Sequence, residues 1–247
     1  MRNEIISTDL GEIHDFWARA VYPYTAPIFE ANYRLEPDPI GSAVRATFAE
    51  KEYLVTAAHV INRHLQGSGC DQPEGAPYSF IPEQIEIEGK VDTAADPIDL
   101  AIIELPRASR RGLQIPQHLA LQVTDGERCL FVGFQARPKS WEIDSSRLTI
   151  RPKPLAYMGT VRNPTGERFS ITFSEKHLYR RGVKQNPVGK LNGISGAGVF
   201  VLRHDTPRLA GIVIEYHKRR SEIIVTNSRA LWVMFGMKAA SSTGPSQ

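Results

Sequence analysis

This sequence contains few cysteines, only short apolar runs and little excess of either charge. Its 247 residues include two cysteines, Cys70 and Cys129, which lie far apart and lack the spacing of a metal-binding motif. A secreted all-β enzyme more often carries several disulfides, so this cysteine usage favours a reducing compartment. Lys and Arg number 30 and Asp and Glu 27, and the formal net charge of +3 gives no argument for a nucleic-acid partner.

Apolar stretches are short throughout the chain. None approaches 18 consecutive residues, so the sequence predicts no membrane-spanning helix and no membrane partner. Residues 1–9 lack the apolar core of a secretory signal peptide, and we expect a cytoplasmic protein. Hydrophobic residues make up 41% of the chain and charged residues 23%, which is enough apolar material for the core of a globular protein.

The apolar runs are mostly bounded by turn residues, which is typical of β-structure. Strand-like runs occur at residues 85–87, 100–104, 129–134, 155–161, 169–173, 198–202, 209–214 and 223–225. Residues 41–61 read as a hairpin that turns at Glu50 and Lys51, and residues 65–82, rich in Gly, Pro and Gln, read as a loop. Many short strands separated by turns predict an all-β barrel or sandwich.

The strongest chemical signal is a serine held between glycines. Residues 193–198 read Gly-Ile-Ser-Gly-Ala-Gly and lead into an apolar run, which puts Ser195 on a tight turn. Residues 56–59, Thr-Ala-Ala-His, close an apolar stretch at His59, and Asp99 opens another. A serine hydroxyl is a weak nucleophile that needs a base and a third group to orient the base. His59, Asp99 and Ser195 supply all three groups.

In these motifs the sequence resembles the trypsin-like, chymotrypsin-fold serine peptidases of the intracellular bacterial type. Residues 56–59 match the histidine motif of that family, residues 99–101 its aspartate motif and residues 193–196 its serine motif. Residues 209–213 resemble the strand that follows the nucleophile and lines the cleft. The resemblance covers about residues 41–232, which is most of the chain.

The resemblance implies a serine endopeptidase that works through an acyl-enzyme. His59 is the general base, Asp99 orients it, and Ser195 attacks the scissile carbonyl. The backbone N–H groups of Gly193 and Ser195 form the oxyanion hole. The chemistry implies no metal and no cofactor, and the partner is a protein or peptide substrate, with a regulatory protein left open.

The implied fold is all-β, with two six-stranded-type antiparallel barrels in a single peptidase domain. Residues 1–38 are an N-terminal extension, residues 39–140 the first barrel, residues 141–238 the second barrel with the C-terminal helix, and residues 239–247 a frayed tail.

Two helices are expected to accompany the barrels. Residues 9–22 have helical apolar spacing that Pro23 ends, and residues 228–235 resemble the C-terminal helix of the family.

One departure from the family concerns activation. Digestive relatives carry an aspartate just before the nucleophile, and it pairs with a freshly cut N-terminus. This chain has Ile194 there, and an isoleucine side chain cannot pair with an ammonium group. We therefore expect no activation by N-terminal processing.

A second departure concerns the residues expected to bind substrate, which are Lys190, Ile214, Glu215 and Tyr216. Tyr216 takes the place of a glycine at the mouth of the primary pocket, and its bulk predicts a preference for small residues before the cut. A competing hypothesis is that Lys190 selects an acidic residue by charge.

Two other function classes stay open from the sequence alone. The first is a catalytically silent binding module with the same fold. The second is an α/β-hydrolase esterase, in which Ser195 lies on a nucleophile elbow with Asp205 and His217 as its partners. That elbow needs a helix after the serine, whereas residues 199–202 read as a strand.

Overall fold

In the computed structural model, the chain consists mostly of β-strands with a few helices. The structure describes residues 17–31, 37–65, 78–81, 83–86, 91–94, 98–105, 112–115, 117–135, 141–144, 149–152, 154–174, 178–180, 183–184, 191–203 and 206–242.

The strands form two large sheets and one small ribbon. The first sheet contains β1 (Thr25–Ala31), β2 (Pro37–Phe48), β3 (Lys51–Ala57), β4 (Tyr78–Ile81), β5 (Glu83–Glu86), β6 (Val91–Ala94), β7 (Leu100–Glu104) and β8 (Leu113–Gln114). The second contains β9 (Arg128–Phe134), β12 (Pro154–Arg162), β13 (Arg168–Thr172), β14 (Leu178–Arg180), β15 (Val183–Lys184), β16 (Gly198–Arg203), β17 (Thr206–His217) and β18 (Glu222–Asn227). The ribbon pairs β10 (Trp141–Asp144) with β11 (Thr149–Pro152).

Three segments of the described chain are helical. They are residues 17–21, which lead into a 3-10 turn at Tyr22–Tyr24, and two helices that we label α1 (Ala58–Leu65) and α2 (Ser228–Ser242). Residues 9–16 of the expected N-terminal helix lie outside the described residues.

The predicted hairpin before His59 is confirmed as β2 and β3. The two strands pair in antiparallel register across Ala49 and Glu50, whose φ angles of 47° and 65° are the left-handed values that a tight hairpin turn requires. Arg45 and Glu52 form an ion pair across the hairpin, and both side chains are buried. The hairpin was expected to end at His59, but its second strand ends at Ala57 because Ala58 begins α1.

The second sheet closes into a six-stranded barrel. Its strand order is β13-β18-β17-β16-β9-β12, and β12 also pairs with β13. The barrel interior is apolar and aromatic, with Phe131, Tyr157 and Phe169 among its buried residues. Burial of these large side chains is the main favourable contribution to folding of this half of the molecule.

The first sheet has the order β5-β4-β1-β2-β3-β7-β6, with β8 beside β2. Its apolar interior includes Ile28, Leu54 and Ile103, and Ile214 from the second sheet packs into the same cluster. A third apolar cluster joins the two sheets and collects Ala18, Leu231 and other residues of the helical segments. The two sheets therefore share buried contacts rather than standing apart.

The structure corrects several of the expected boundaries. β9 belongs to the second sheet, where it pairs with β12 and β16, so the change of barrel precedes residue 128 and not residue 141. β1 pairs with β2 and is part of the first sheet rather than of an extension. Residues 78–81 of the expected loop form β4, and residues 239–242 of the expected frayed tail are helical. The first three corrections depend on pairing between strands that are far apart in the sequence, and the local sequence does not encode such pairing.

In the part of the chain that the structure describes, every helix is too short or too polar to cross a bilayer.

Candidate active site

The first half of the site is a histidine and an aspartate in contact. His59 is the second residue of α1, and Asp99 lies immediately before β7. Nδ1 of His59 lies 2.7 Å from Oδ2 of Asp99, and the backbone N–H of His59 donates to Oδ1 of Asp99 at 3.0 Å. A carboxylate only accepts hydrogen bonds, so the contact places the ring proton on Nδ1 and leaves Nε2 as the basic nitrogen.

Asp99 also caps the start of α1. The Asp99 carbonyl accepts from Ala58 N at 3.1 Å, and the side chain accepts from the next N–H. The first N–H groups of a helix lack acceptors within the helix, and a negative charge there is favourable. Asp99 has φ 47°, a left-handed conformation that aspartate tolerates better than most residues. One residue thus fixes both the helix start and the imidazole.

The second barrel holds the segment that carries Asp99. The hydroxyl of Thr226, on β18, donates to the carbonyl of Ile98 at 2.6 Å. This hydrogen bond joins the residue before Asp99 to a strand that pairs with β17. The position of the aspartate therefore depends on the packing of the two sheets against each other.

The second half of the site is the turn that carries Ser195. Ala197 N donates to the Ile194 carbonyl at 2.9 Å, Gly196 N donates to the Val213 carbonyl at 2.7 Å, and β16 starts directly afterwards. A side chain at Gly196 is excluded because a Cβ there would overlap the Ser42 carbonyl and the Thr56 hydroxyl, and its φ is +87°. The nucleophile turn is therefore fixed by backbone contacts on its buried side.

The two halves meet at Gly41 on β2. A Cβ at Gly41 would lie 2.6 Å from Val60 Cγ1 and 3.2 Å from the Ser195 carbonyl oxygen. Val60 directly follows His59, so the absent side chain lets the start of α1 and the nucleophile turn approach the same backbone atom. The start of α1, which carries His59, and the turn that carries Ser195 thus lie on either side of one backbone position.

The hydroxyl of Ser195 donates to the carbonyl of Ile214, with an Oγ to O distance of 3.4 Å. Within the described chain this is its one hydrogen bond, and it makes none with His59. Hydrogen bonds between catalytic groups are often long or absent in ligand-free enzymes and form when the substrate binds.

The N–H groups expected to bind an oxyanion are available. Among the described residues, neither Gly193 N–H nor Ser195 N–H has an acceptor. Gly193 has φ +86°, a conformation in which glycine is strongly favoured. A pair of unused donors beside a serine is the arrangement that stabilises a developing oxyanion.

The residues expected to bind substrate have three different environments. Ile214 is buried in the core of the first sheet, and Glu215 is exposed and forms an ion pair with His217 at 2.8 Å. Tyr216 is half-buried, and its ring lies edge-on to Phe173 with centroids 5.2 Å apart. The fourth, Lys190, lies outside the described residues.

A row of aromatic rings supports Tyr216 from the barrel interior. Phe173 contacts Tyr157 at 4.9 Å, and Tyr157 stacks on Phe131 at 5.3 Å. Tyr216 also packs against the apolar cluster that contains Ile194, the residue before the nucleophile. The sequence identified Tyr216 but gave no indication of Phe173, because an aromatic residue at the end of a strand is ordinary core.

Two groups near this row have raised pKa values. Burial raises the pKa of Tyr157, whose hydroxyl donates to the Thr172 carbonyl at 2.8 Å. Burial raises the pKa of the Cys129 thiol to about 12, so at neutral pH it stays protonated and is a poor nucleophile. Among the described residues, no cluster of three His, Cys, Asp or Glu side chains is placed to bind a metal.

The alternative esterase elbow does not fit the described structure. β16 follows Ser195 where an elbow requires a helix, and His217 pairs with Glu215. Asp205, the other partner of that hypothesis, lies outside the described residues.

Comparison with known proteins shows the fold. No protein-family model matches the sequence, and no curated protein sequence matches it. Among solved structures, the chain is similar to the inactive form of a serine-to-alanine mutant of Rv3671c from M. tuberculosis H37Rv, with 12% identity, a TM-score of 0.53 and 96% of each chain covered. It is also similar to the apo MamO protease domain from Magnetospirillum magneticum, with 12% identity, a TM-score of 0.54 and coverage of 87% of this chain and 97% of that one. The chain therefore has a trypsin-like, two-barrel fold of the kind found in bacterial protease domains.

Proposed function

We propose that the protein is a serine endopeptidase that cleaves protein or peptide substrates through Ser195, His59 and Asp99. The observation that carries the proposal is the 2.7 Å contact between His59 and Asp99, next to a serine turn with two unused N–H donors. Nucleophile, base, orienting carboxylate and oxyanion donors are the groups that acyl transfer requires.

In the proposed acylation step, the Ser195 oxygen bonds to the scissile carbonyl carbon while its proton passes to Nε2 of His59. The carbonyl oxygen becomes an anion that the N–H groups of Gly193 and Ser195 stabilise. The C–N bond then breaks, and the departing amine takes the proton from His59. Water repeats the sequence on the ester, which releases the acid and restores the serine.

The resting serine must rotate before this step. Its hydroxyl donates to the Ile214 carbonyl, and rotation about χ1 exchanges that long hydrogen bond for one with His59. A 3.4 Å hydrogen bond is at the weak end of the range, so the exchange costs little. We propose that an arriving substrate favours the rotated state.

The proposed specificity is for a small residue on the acyl side of the cut. Tyr216 packs with Phe173 against the apolar cluster that contains Ile194, and we infer that its ring narrows the primary pocket. A cytoplasmic setting and the absence of any cofactor remain parts of the proposal, and the buried free thiol of Cys129 is compatible with a reducing compartment.

One observation favours a second candidate, a silent binding module with the protease fold. Ser195 donates to the Ile214 carbonyl and not to His59. If this geometry were permanent, the protein would bind peptides without cutting them.

Fluorophosphonate labelling followed by intact-mass and peptide mapping separates the two candidates. We expect the wild-type protein to gain one adduct at Ser195, Ser195→Ala to gain none, and His59→Ala to react at least about 100-fold more slowly. Ser174→Ala, which changes another partly buried serine of the second barrel, is the matched control and should label at the wild-type rate. No adduct on folded wild-type protein would reject the peptidase proposal in favour of the binding module.

A further inference from the structure

Ser42 on β2 forms two hydrogen bonds with the nucleophile turn, and neither a sequence motif nor the fold comparison assigns it a role. Its side chain is fully buried. Its hydroxyl donates to the Gly193 carbonyl at 2.8 Å, and its backbone N–H donates to the Ser195 carbonyl at 2.8 Å. One residue of the first barrel thus holds the turn of the second barrel at two points.

The direction of the hydroxyl hydrogen bond is set by a second partner. Phe134 N, at the end of β9, donates to Ser42 Oγ at 2.8 Å. An N–H group can only donate, so the hydroxyl accepts from Phe134 and its own proton is left for the Gly193 carbonyl. The two hydrogen bonds therefore have one direction, from Phe134 N–H to Ser42 Oγ and from the Ser42 hydroxyl to the Gly193 carbonyl.

These contacts have a consequence for the oxyanion donors. In a trans peptide unit the N–H of one residue points away from the C=O of the residue before it. The carbonyls of Gly193, Ile194 and Ser195 are engaged by Ser42 Oγ, Ala197 N and Ser42 N in turn. The Ile194 carbonyl shares a peptide unit with the Ser195 N–H, so its hydrogen bond with Ala197 N leaves the Ser195 N–H pointing the opposite way. Ser42 holds the Gly193 and Ser195 carbonyls on either side of that unit.

We propose that Ser42 is a positioning residue, whose hydroxyl holds the Gly193–Ile194 peptide unit, which lies between the N–H donors of Gly193 and Ser195, so that both donors face the developing oxyanion. This inference rests on the proposed peptidase function. It goes further by assigning part of transition-state stabilisation to a first-barrel side chain that does not touch substrate. A positioning residue is needed because Gly193 is conformationally free, and no side chain of its own enforces its φ of +86°.

The test compares Ser42→Ala with a matched control, Ser228→Ala. Ser228 is also fully buried, and its hydroxyl donates to a backbone carbonyl, that of Ala120, at 2.7 Å. It begins α2, away from the nucleophile turn. Ser228→Ala loses one buried hydroxyl hydrogen bond, whereas Ser42→Ala loses the one donated to Gly193 and the one accepted from Phe134. A purely structural role therefore predicts a loss of stability from both variants and no specific loss of labelling where both are folded.

Two readouts are measured at a temperature where all the proteins are folded. The first is the second-order rate constant for fluorophosphonate labelling, because its pentacoordinate transition state places a developing negative charge on an oxygen where the oxyanion forms. We expect a fall of about 10- to 100-fold for Ser42→Ala and less than about 3-fold for Ser228→Ala. Ser42→Cys, which keeps a weaker donor, should lie between wild type and Ser42→Ala, and it decides the matter if Ser42→Ala does not fold.

The second readout is the amide NMR signals of Gly193, Ile194 and Ser195, which do not depend on activity. We expect Ser42→Ala to shift or broaden them and Ser228→Ala to leave them unchanged. Equal losses in labelling for Ser42→Ala and Ser228→Ala, or labelling of Ser42→Ala within 3-fold of wild type, would overturn the inference. If the wild-type protein is not labelled, the proposed function fails. The role of Ser42 is then tested by the amide signals alone, and unchanged signals in Ser42→Ala would overturn it.

Discussion

The two halves of the site are held in place in different ways. His59 and Asp99 are partly open to solvent, with 41% and 23% of their side chains exposed, and three hydrogen bonds that α1 donates to Asp99 orient them. The nucleophile turn is enclosed, with Ser42 and Ala197 fully buried behind it. A partly exposed polar contact contributes little to stability, whereas close packing and buried hydrogen bonds contribute much. Changes at the base should therefore alter chemistry with little effect on stability, while changes behind the turn should alter both.

Asp99→Asn should have the largest effect that separates the two halves, and this effect is on activity. An amide presents a donor to Nδ1 and favours the wrong ring tautomer, so labelling and turnover should fall on the order of 10⁴-fold. The free energy of unfolding should change by about 1 kcal/mol or less. The measurements are labelling rate and denaturant unfolding.

Asp125→Asn is the matched control for that change, because Asp125 is an exposed carboxylate that accepts from the backbone N–H of Asn163 at 3.1 Å. It should leave labelling unchanged. If Asp99→Asn unfolds the protein, the claim that the base half is structurally undemanding is wrong.

The largest expected effect on stability comes from Gly196→Ala on the other half. The added methyl group overlaps the Ser42 carbonyl, and φ is +87°, so we expect a loss of more than about 3 kcal/mol in the free energy of unfolding. Chemical denaturation measures this loss. Gly166→Ala, where nothing lies within 4 Å of the new Cβ, is the control and should stay within about 0.5 kcal/mol of wild type. A small loss for Gly196→Ala would show that the turn is loosely held.

A smaller effect is expected from Tyr216→Ala, and it concerns specificity. Removing the ring that rests on Phe173 opens space beside the nucleophile, and cleavage after Phe, Tyr or Leu should rise roughly 10-fold relative to cleavage after Ala. Peptide-library cleavage read by mass spectrometry tests this. Glu167→Ala, at an exposed residue outside the expected substrate-binding set, should leave the profile unchanged. Efficient cleavage after Phe by the wild type would refute the steric explanation and return attention to Lys190.

The smallest effect is expected far from the site, at Glu127. Its burial alone raises the pKa, but hydrogen bonds from Arg203 and Thr124 outweigh this and lower the pKa below the ordinary value. A lowered carboxyl pKa stabilises the fold at neutral pH, and that contribution disappears as pH falls through the folded-state pKa. The gap in unfolding free energy between wild type and Glu127→Gln should be about 1 kcal/mol or less at pH 7, should narrow below about pH 4, and should leave labelling unaffected. A gap that widens on acidification would contradict the assignment.

Local patterns in the sequence predicted the elements that local chemistry determines. Strand β7 was predicted at its observed bounds, the β2–β3 hairpin was predicted by its polar tip, and β16 by the apolar run after the serine. Non-local pairing was not predictable, which is why β1 and β9 were assigned to the wrong part of the fold.

The same division applies to the candidate site. The residues that we propose carry the chemistry, His59, Asp99 and Ser195, stand in recognisable motifs. Ser42 has no such signal, because a serine within a strand gives no sign that its hydroxyl reaches a carbonyl far along the chain. Likewise, the sequence around Gly41 does not indicate that two segments will approach its Cα.

The most direct test of the central claim, that the two halves act as one catalytic unit, is a double-mutant cycle on peptide hydrolysis. The rate constants kcat/KM are measured for wild type, Ser195→Ala, His59→Ala and the double variant. We predict that each single change lowers the rate on the order of 10⁴-fold or more and that the double variant is little worse than either. Losses that multiply in the double variant would contradict the claim, because they would mean that Ser195 and His59 act independently.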